Sequence, residues 1–217
     1  MENMSHNVAN IRKNYTHAEL HEKDVLATPV NQFKHWFAQA LNAGIEEVNA
    51  MTLSTTGADG KPSARIVLLK AFDEDGFSFF TNYGSRKAGQ LNENPYAALT
   101  FLWKEIERQV RIEGSVEKLD AKKSEEYFHS RPRLSQIGAL ASQQSKRVSS
   151  KEEMLETFAN IQLEFEGREI PMPMNWGGFL LLPSYFEFWQ GRPSRMHDRI
   201  VYERLPDKSW EIYRLYP

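Results

Sequence analysis

The chain of 217 residues contains no cysteine. That removes disulfides, thiolate metal sites and a cysteine nucleophile together, and it suits a reducing compartment, so the expected location is the cytoplasm. No apolar run approaches the ~18 residues that a membrane helix needs, and the opening stretch Met1 to Tyr15 is polar, without the apolar centre of a secretory signal. Net charge is only −2, so the field of the whole molecule gives no reason to expect nucleic acid or an anionic membrane as a partner. The six histidines form no H-E-x-x-H pair and no Cys/His cluster, so no metal site is expected. G-x-S-x-G, Walker and G-x-G-x-x-G signatures are also missing, as are internal repeats and low-complexity segments.

What the chain does have is a hydrophobic content of 41%, enough for one full core. Residues 1–24 are rich in Asn, His, Lys and Glu and poor in large apolar groups, which predicts an arm, with a single domain over 25–217. Thr28-Pro29 reads as a helix cap followed by proline in the first turn, and Val30, Phe33, Phe37, Ala40 and Leu41 keep helical spacing up to Gly44. From Met51 the pattern turns to short β runs broken by turn signals: 51–56, 63–72, 77–81, 97–103 and 108–119. Ser85, Asp120 and Pro132 open short helices. Ser150 with Glu153 forms a capping box for a helix to about Glu166, whose stripe Met154, Leu155, Phe158, Ile161 and Phe165 is read as core packing. Four further strands are expected at 178–182, 185–190, 199–204 and 210–214. The sum is mainly β with peripheral α-helices, a closed or curled antiparallel barrel.

Charge is concentrated in a few segments. In Arg65-Ile66-Val67-Leu68-Leu69-Lys70 an apolar strand carries a cation at each end, and the two-residue period places Arg65 and Lys70 on opposite faces unless a bulge intervenes. Thr81-Asn82-Tyr83-Gly84-Ser85-Arg86-Lys87 puts a hydroxyl and two cations where a helix begins, a good place for a phosphate dianion. Tyr127, Arg131 and Ser135 are four apart, but Pro132 breaks the helix, which sets Arg131 and Ser135 about the start of a second one. Trp189-Gln190-Gly191-Arg192-Pro193-Ser194-Arg195-Met196-His197-Asp198-Arg199 gathers an indole, a histidine and several arginines around Gly and Pro, a site for a flat anionic ligand.

These segments, in this order, closely resemble the pyridoxamine (pyridoxine) 5'-phosphate oxidase family. There the last stretch reads W-Q-G, three variable residues, then R-L-H-D-R, with Met196 standing here in the Leu place. The strand R-I-V-L-L-K, the segment T-N-x-x-S-R-K and the string Y-F-H-S-R-P-R-L-S-Q-I-G-A match as well. The resemblance implies an FMN-binding split β-barrel that converts pyridoxamine 5'-phosphate and pyridoxine 5'-phosphate to pyridoxal 5'-phosphate, with O2 as acceptor and H2O2 as product. It implies FMN contacts at Arg65, Ile66, Val67, Leu68, Leu69, Lys70, Phe80, Thr81, Arg86, Lys87, Gln109, Gln144, Ser145, Trp189 and Arg199. For the substrate it implies Lys70, Tyr127, Arg131 and Ser135 at the phosphate, Arg195 and His197 as catalytic residues at the ring and reacting side, and Arg12 and Tyr15 on an arm that folds over it. A homodimer with FMN at the subunit interface follows from the same resemblance. Two other readings stay open: a related split-barrel flavoprotein acting on another reductant, and a non-catalytic flavin or pyridoxal-phosphate binding protein.

Overall fold

The computed structural model describes residues 13–217. Among them the elements run α1 (Pro29–Asn42), β1 (Ala50–Thr56), β2 (Pro62–Leu68), β3 (Ala71–Phe72), β4 (Phe77–Asn82), α2 (Arg86–Glu93), β5 (Tyr96–Trp103), β6 (Arg108–Lys118), α3 (Ala121–Ser130), α4 (Arg133–Ala141), α5 (Lys151–Glu164), β7 (Trp176–Gln190), β8 (Asp198–Arg204) and β9 (Trp210–Arg214). The helix starts follow local chemistry. Thr28 accepts from the Asn31 N–H, Ser85 from Ala88, Asp120 from Lys122 and Lys123, and Ser150 from Glu153. In the capping box the return bond goes to Ser149 rather than the cap itself, its N–H donating to Glu153 at 3.2 Å.

The fold divides into two compact units. One spans Asn49–Phe101 and Ile112–Ser184. Its sheet runs β2-β1-β5-β6-β7-β4-β3, with β1 antiparallel to β2 (Leu53 opposite Arg65) and to β5, and β4 antiparallel to β7 (Phe80 opposite Gly178). A satellite core of Phe128, Ile137, Ile170 and Trp176 seats the helices, with Phe158, Ile161 and Phe165 against it. The other unit comprises the described residues up to Val48, Leu102–Arg111 and Tyr185–Pro217. There β7, β8 and β9 form an antiparallel meander, Trp189 opposite Arg199. The α1 residue Trp36 meets Phe188 edge-on at 5.3 Å, and the Trp103 indole donates to the Val48 carbonyl at 3.0 Å.

Three expectations need correction. The strands read at 178–182 and 185–190 are one, because β7 runs fifteen residues straight through Pro183. Proline has no N–H for a ladder and usually marks a strand end; here Gly114 faces it, where any Cβ would sit 2.0 Å from the Leu182 carbonyl oxygen, and this close approach keeps the strand continuous. The run 63–72 is instead broken after Leu68, and the Leu69 and Lys70 N–H groups donate to Asn49 and Ser78 outside the β2 ladder. In the α5 stripe, Met154 and Leu155 are about half exposed, and only Phe158, Ile161 and Phe165 pack inward.

Candidate active site

The break after Leu68 shapes a cationic cavity within the first unit. It resets the strand alternation, so Arg65 and Lys70, expected on opposite faces, line the same cavity of about 480 Å³. Ile66, Val67 and Leu68 form its floor with them, while Leu69 is buried in the core. Phe80 and Thr81 come from β4, Lys87 from α2, and Tyr127, Arg131, Pro132 and Ser135 from the α3–α4 junction; Gln144 and Trp176 complete it.

Four cations share this cavity, and among the described residues no carboxylate lines it. Neutral oxygens hold Arg65 and Lys87. Arg65 donates to the Leu53 carbonyl at 2.9 Å, to Thr55 Oγ1 and to Ser63 Oγ, both at 2.7 Å. Lys87 Nζ donates to Gln144 Oε1 at 2.6 Å and to Thr81 Oγ1 at 3.0 Å. Burial, and then the Arg65 charge, lower the Lys87 pKa; burial and the Arg86 charge do the same to Arg65. Arg131 is held by aromatic faces, 4.8 Å above the Trp176 ring and 5.7 Å from that of Phe128. Its Nη1 is buried without any hydrogen-bond partner, and burial lowers its pKa. An unpaired buried donor on a charged group costs roughly 1–3 kcal/mol or more, a cost that an arriving anion cancels. Phe80, Tyr127 and Trp176 stack nearly parallel beside it, Phe80 and Tyr127 at 4.0 Å. Arg86 is exposed at the first position of α2, and Ser145 is an exposed residue at φ 72°; neither lines the cavity.

A second group of expected site residues lies in the other unit. Trp189 at the end of β7 and His197 just before β8 stand 4.7 Å apart, and the Tyr15 ring meets both edge-on at 5.7 Å. With Lys13, Asn14, Arg192, Ser194 and Arg195 they line a cavity of about 570 Å³. A neighbouring one of about 650 Å³ includes Gln109, Trp189 and Glu107. Ser194 and Arg195 are both left-handed, at φ 55° and 61°, a conformation that costs a side-chain-bearing residue about 1–2 kcal/mol. His197 Nδ1 accepts the Arg192 N–H at 3.1 Å, which puts the proton of the neutral ring on Nε2. Burial, then Arg195, lower its pKa, against Asp198. Arg199 does not line either cavity; it grips Glu187 with two bonds of 2.8 and 3.0 Å and donates to the Tyr216 carbonyl. Arg12 lies outside the described residues.

Residues 37–166 match the family model "Pyridoxamine 5'-phosphate oxidase", and 176–217 match "Pyridoxine 5'-phosphate oxidase C-terminal dimerisation region". The chain belongs to the pyridoxamine 5'-phosphate oxidase family. A pyridoxine/pyridoxamine 5'-phosphate oxidase of Trichormus variabilis is 53% identical, over 99% of this chain and 100% of its own. One of Salinibacter ruber is 52% identical, over 97% and 99%. Among solved structures, PhzG of Burkholderia lata 383, in complex with tetrahydrophenazine-1-carboxylic acid, superposes with TM-score 0.86 at 28% identity, over 92% of this chain and 98% of that one. A pyridoxamine 5'-phosphate oxidase-related, FMN-binding protein of Nostoc punctiforme shares the fold, with TM-score 0.69 at 17% identity over 89% and 100%. The split barrel implied by the resemblance is therefore the fold of this chain, and membership of this family implies a flavin cofactor.

Two features around these cavities escape the sequence reading. Trp176 lines the cationic cavity and braces Arg131; its one local signal is an aromatic before Gly177-Gly178. Glu107 and Glu187 hold cationic groups through contacts distant in sequence, which no local pattern reveals.

Proposed function

We propose that the chain is an FMN-dependent oxidase that converts pyridoxamine 5'-phosphate and pyridoxine 5'-phosphate to pyridoxal 5'-phosphate, with O2 as acceptor and H2O2 as product. One observation carries the residue roles: a cavity with four cations, no carboxylate and an unpartnered buried guanidinium nitrogen beside stacked aromatic rings. Two phosphates, one from cofactor and one from substrate, match that charge. The donor set fits FMN: Arg65, Thr81 and Lys87, with Gln144, would hold its phosphate, and the 66–68 backbone and Lys70 border the same space.

Arg131 Nη1, Ser135, Tyr127 and Lys70 take the substrate phosphate in this reading. Arg131 is fixed in advance by the Trp176 face, so little side-chain freedom is lost on binding. When bound, FMN would supply the redox chemistry, a two-electron oxidation at the substrate C4' carbon with O2 as acceptor. Arg195 and His197 orient the substrate ring and its reacting side. The His197 Nε2–H is a donor, because Nδ1 is already occupied by the Arg192 N–H. Trp189 offers an indole plane next to them, and Tyr15 shields it from water. A homodimer with the cofactor at the subunit interface is part of the proposal, supported by the match of 176–217 to a dimerisation region.

The test is direct. The purified protein is mixed with pyridoxamine 5'-phosphate without oxygen, and the visible flavin band is followed. Bleaching, with recovery on admitting air, is the expected result. A yellow protein that does not bleach would remove the substrate assignment, and a colourless one that FMN cannot reconstitute would remove the cofactor.

A further inference from the structure

Glu107 sits in the turn between β5 and β6 with a left-handed backbone, φ 58°, and a side chain 6% exposed. Such a residue is expensive to place, since a buried carboxylate needs partners and a left-handed non-glycine costs conformational energy. Its partners lie far away in sequence. Oε2 accepts the consecutive backbone N–H groups of Thr16 and His17 at 2.8 and 3.0 Å, and Oε1 pairs with Lys13 Nζ at 3.2 Å. Burial pushes the carboxyl pKa up, but the His17 N–H, Lys13 and the Thr16 N–H outweigh it and hold the group ionised below its ordinary value. The main chain of the same residue faces the W-Q-G segment: its carbonyl accepts from the Gly191 N–H at 2.8 Å and from Gln190 Nε2 at 3.2 Å.

One residue thus ties the arm to the loop that carries Trp189 and His197. Tyr15 lies between the two tethered stretches, with its ring against Gly191, where a Cβ would come within 2.7 Å of Tyr15 Cγ. Beyond residue 17 the arm has separate anchors. The Ala18 carbonyl accepts from Arg192 at 3.2 Å, the Leu20 N–H donates to Asp198 at 3.0 Å, and Arg214 reaches the Leu20 carbonyl at 2.7 Å.

We propose that Glu107 is a positioning residue for the reaction: it fixes residues 13–17 so that Tyr15 covers the Trp189–His197 pair. The proposal rests on the reading of that pair as the reacting side of the substrate site. It is tested with holoenzyme carrying Glu107→Ala, Glu107→Gln, Tyr15→Ala, and Glu107→Ala with Tyr15→Ala.

Expected for Glu107→Ala is a KM for pyridoxamine 5'-phosphate raised ~10-fold, the scale of one lost charge-assisted contact, with kcat and FMN content close to wild type. Glu107→Gln, whose amide oxygen still accepts the two N–H groups, recovers most of that loss. Added to Tyr15→Ala, the Glu107→Ala change raises KM less than 2-fold more, since both act through one ring. Independently of turnover, tryptic cleavage after Lys13 accelerates in Glu107→Ala while cleavage after Lys23 does not. Unchanged cleavage after Lys13, or a Glu107→Ala variant that loses FMN and stability with no selective rise in KM, overturns the proposal. A wild-type protein inert toward pyridoxamine 5'-phosphate would count against the substrate reading alone, and the cleavage comparison would still decide whether Glu107 sets the arm.

Discussion

Arg65, Lys70, Lys87 and Arg131 share a cavity that no acid lines, whereas in the other unit Lys13 meets Glu107, Arg192 meets Glu19 and Asp198, Arg199 meets Glu187, and Arg214 meets Glu22 and Asp198. The two sets use the same residue types for opposite ends. Arg65 and Lys87, held by neutral oxygens, and Arg131, held by aromatic faces, meet no counter-charge there, so in the proposed reading their energy is kept for an arriving anion. Cations paired with acids have already been neutralised, and their energy goes into fixing the meander, the arm and the loop. Among the described residues, Arg195 is the exception: of the three cations lining the Trp189–His197 cavity it alone meets no acid. That fits the substrate contact proposed for it.

Substitutions at the exception and at each set probe that contrast. Arg195→Leu has the largest expected effect, a loss of roughly 100-fold in kcat/KM, the upper range for a charge-assisted contact, with FMN content near wild type. Equal loss of flavin would place Arg195 with the cofactor instead. Arg199→Met removes the bidentate partner of buried Glu187 and should cost ~3 kcal/mol of stability, read by urea unfolding of the apoprotein. If stability holds while flavin is lost, Arg199 serves the cofactor directly. Lys87→Met should weaken FMN retention by about 1.5–3 kcal/mol and yet leave the apoprotein as stable as wild type or slightly more so, because a desolvated like charge is gone. An apoprotein as damaged as that of Arg199→Met would erase the distinction between the two sets.

The smallest effect concerns pH. Folding lowers the His197 pKa, so its contribution to stability is complete above the ordinary imidazole value, about 6.5, and is lost as pH falls through the lower folded value. Protonation of Nδ1 would also break the bond from the Arg192 N–H. The expected acid limb of kcat/KM therefore lies below the ordinary imidazole pKa. A limb above it would mean that His197 gains rather than loses basicity in the site.

Local chemistry was readable from sequence wherever the causes are near neighbours. Thr28, Ser85, Asp120 and Ser150 cap the helices that their spacing announces, and Pro132 does separate Tyr127 from Ser135 without dispersing them, since both line one cavity. The failures share one physical origin. Pro183 reads as a stop until Gly114 is known to face it, and Arg65 and Lys70 read as opposed until the backbone leaves the ladder at Leu69. Met154 and Leu155 read as core because a helical stripe states which face is apolar, not how far that face is covered. For Arg199, assigned to FMN through the resemblance, no local pattern signals its partner Glu187, twelve residues earlier, which it meets only through strand register.

The stack beneath Arg131 carries a practical consequence. Of the five tryptophans, Trp36 and Trp103 are sealed in the core, while Trp176 lines the cationic cavity and Trp189 the one shared with His197. Each of these cavities therefore holds its own intrinsic fluorophore. With Trp176→Phe and Trp189→Phe variants, emission reports separately on the arrival of a phosphate at one and of a flat ring at the other, without any added dye.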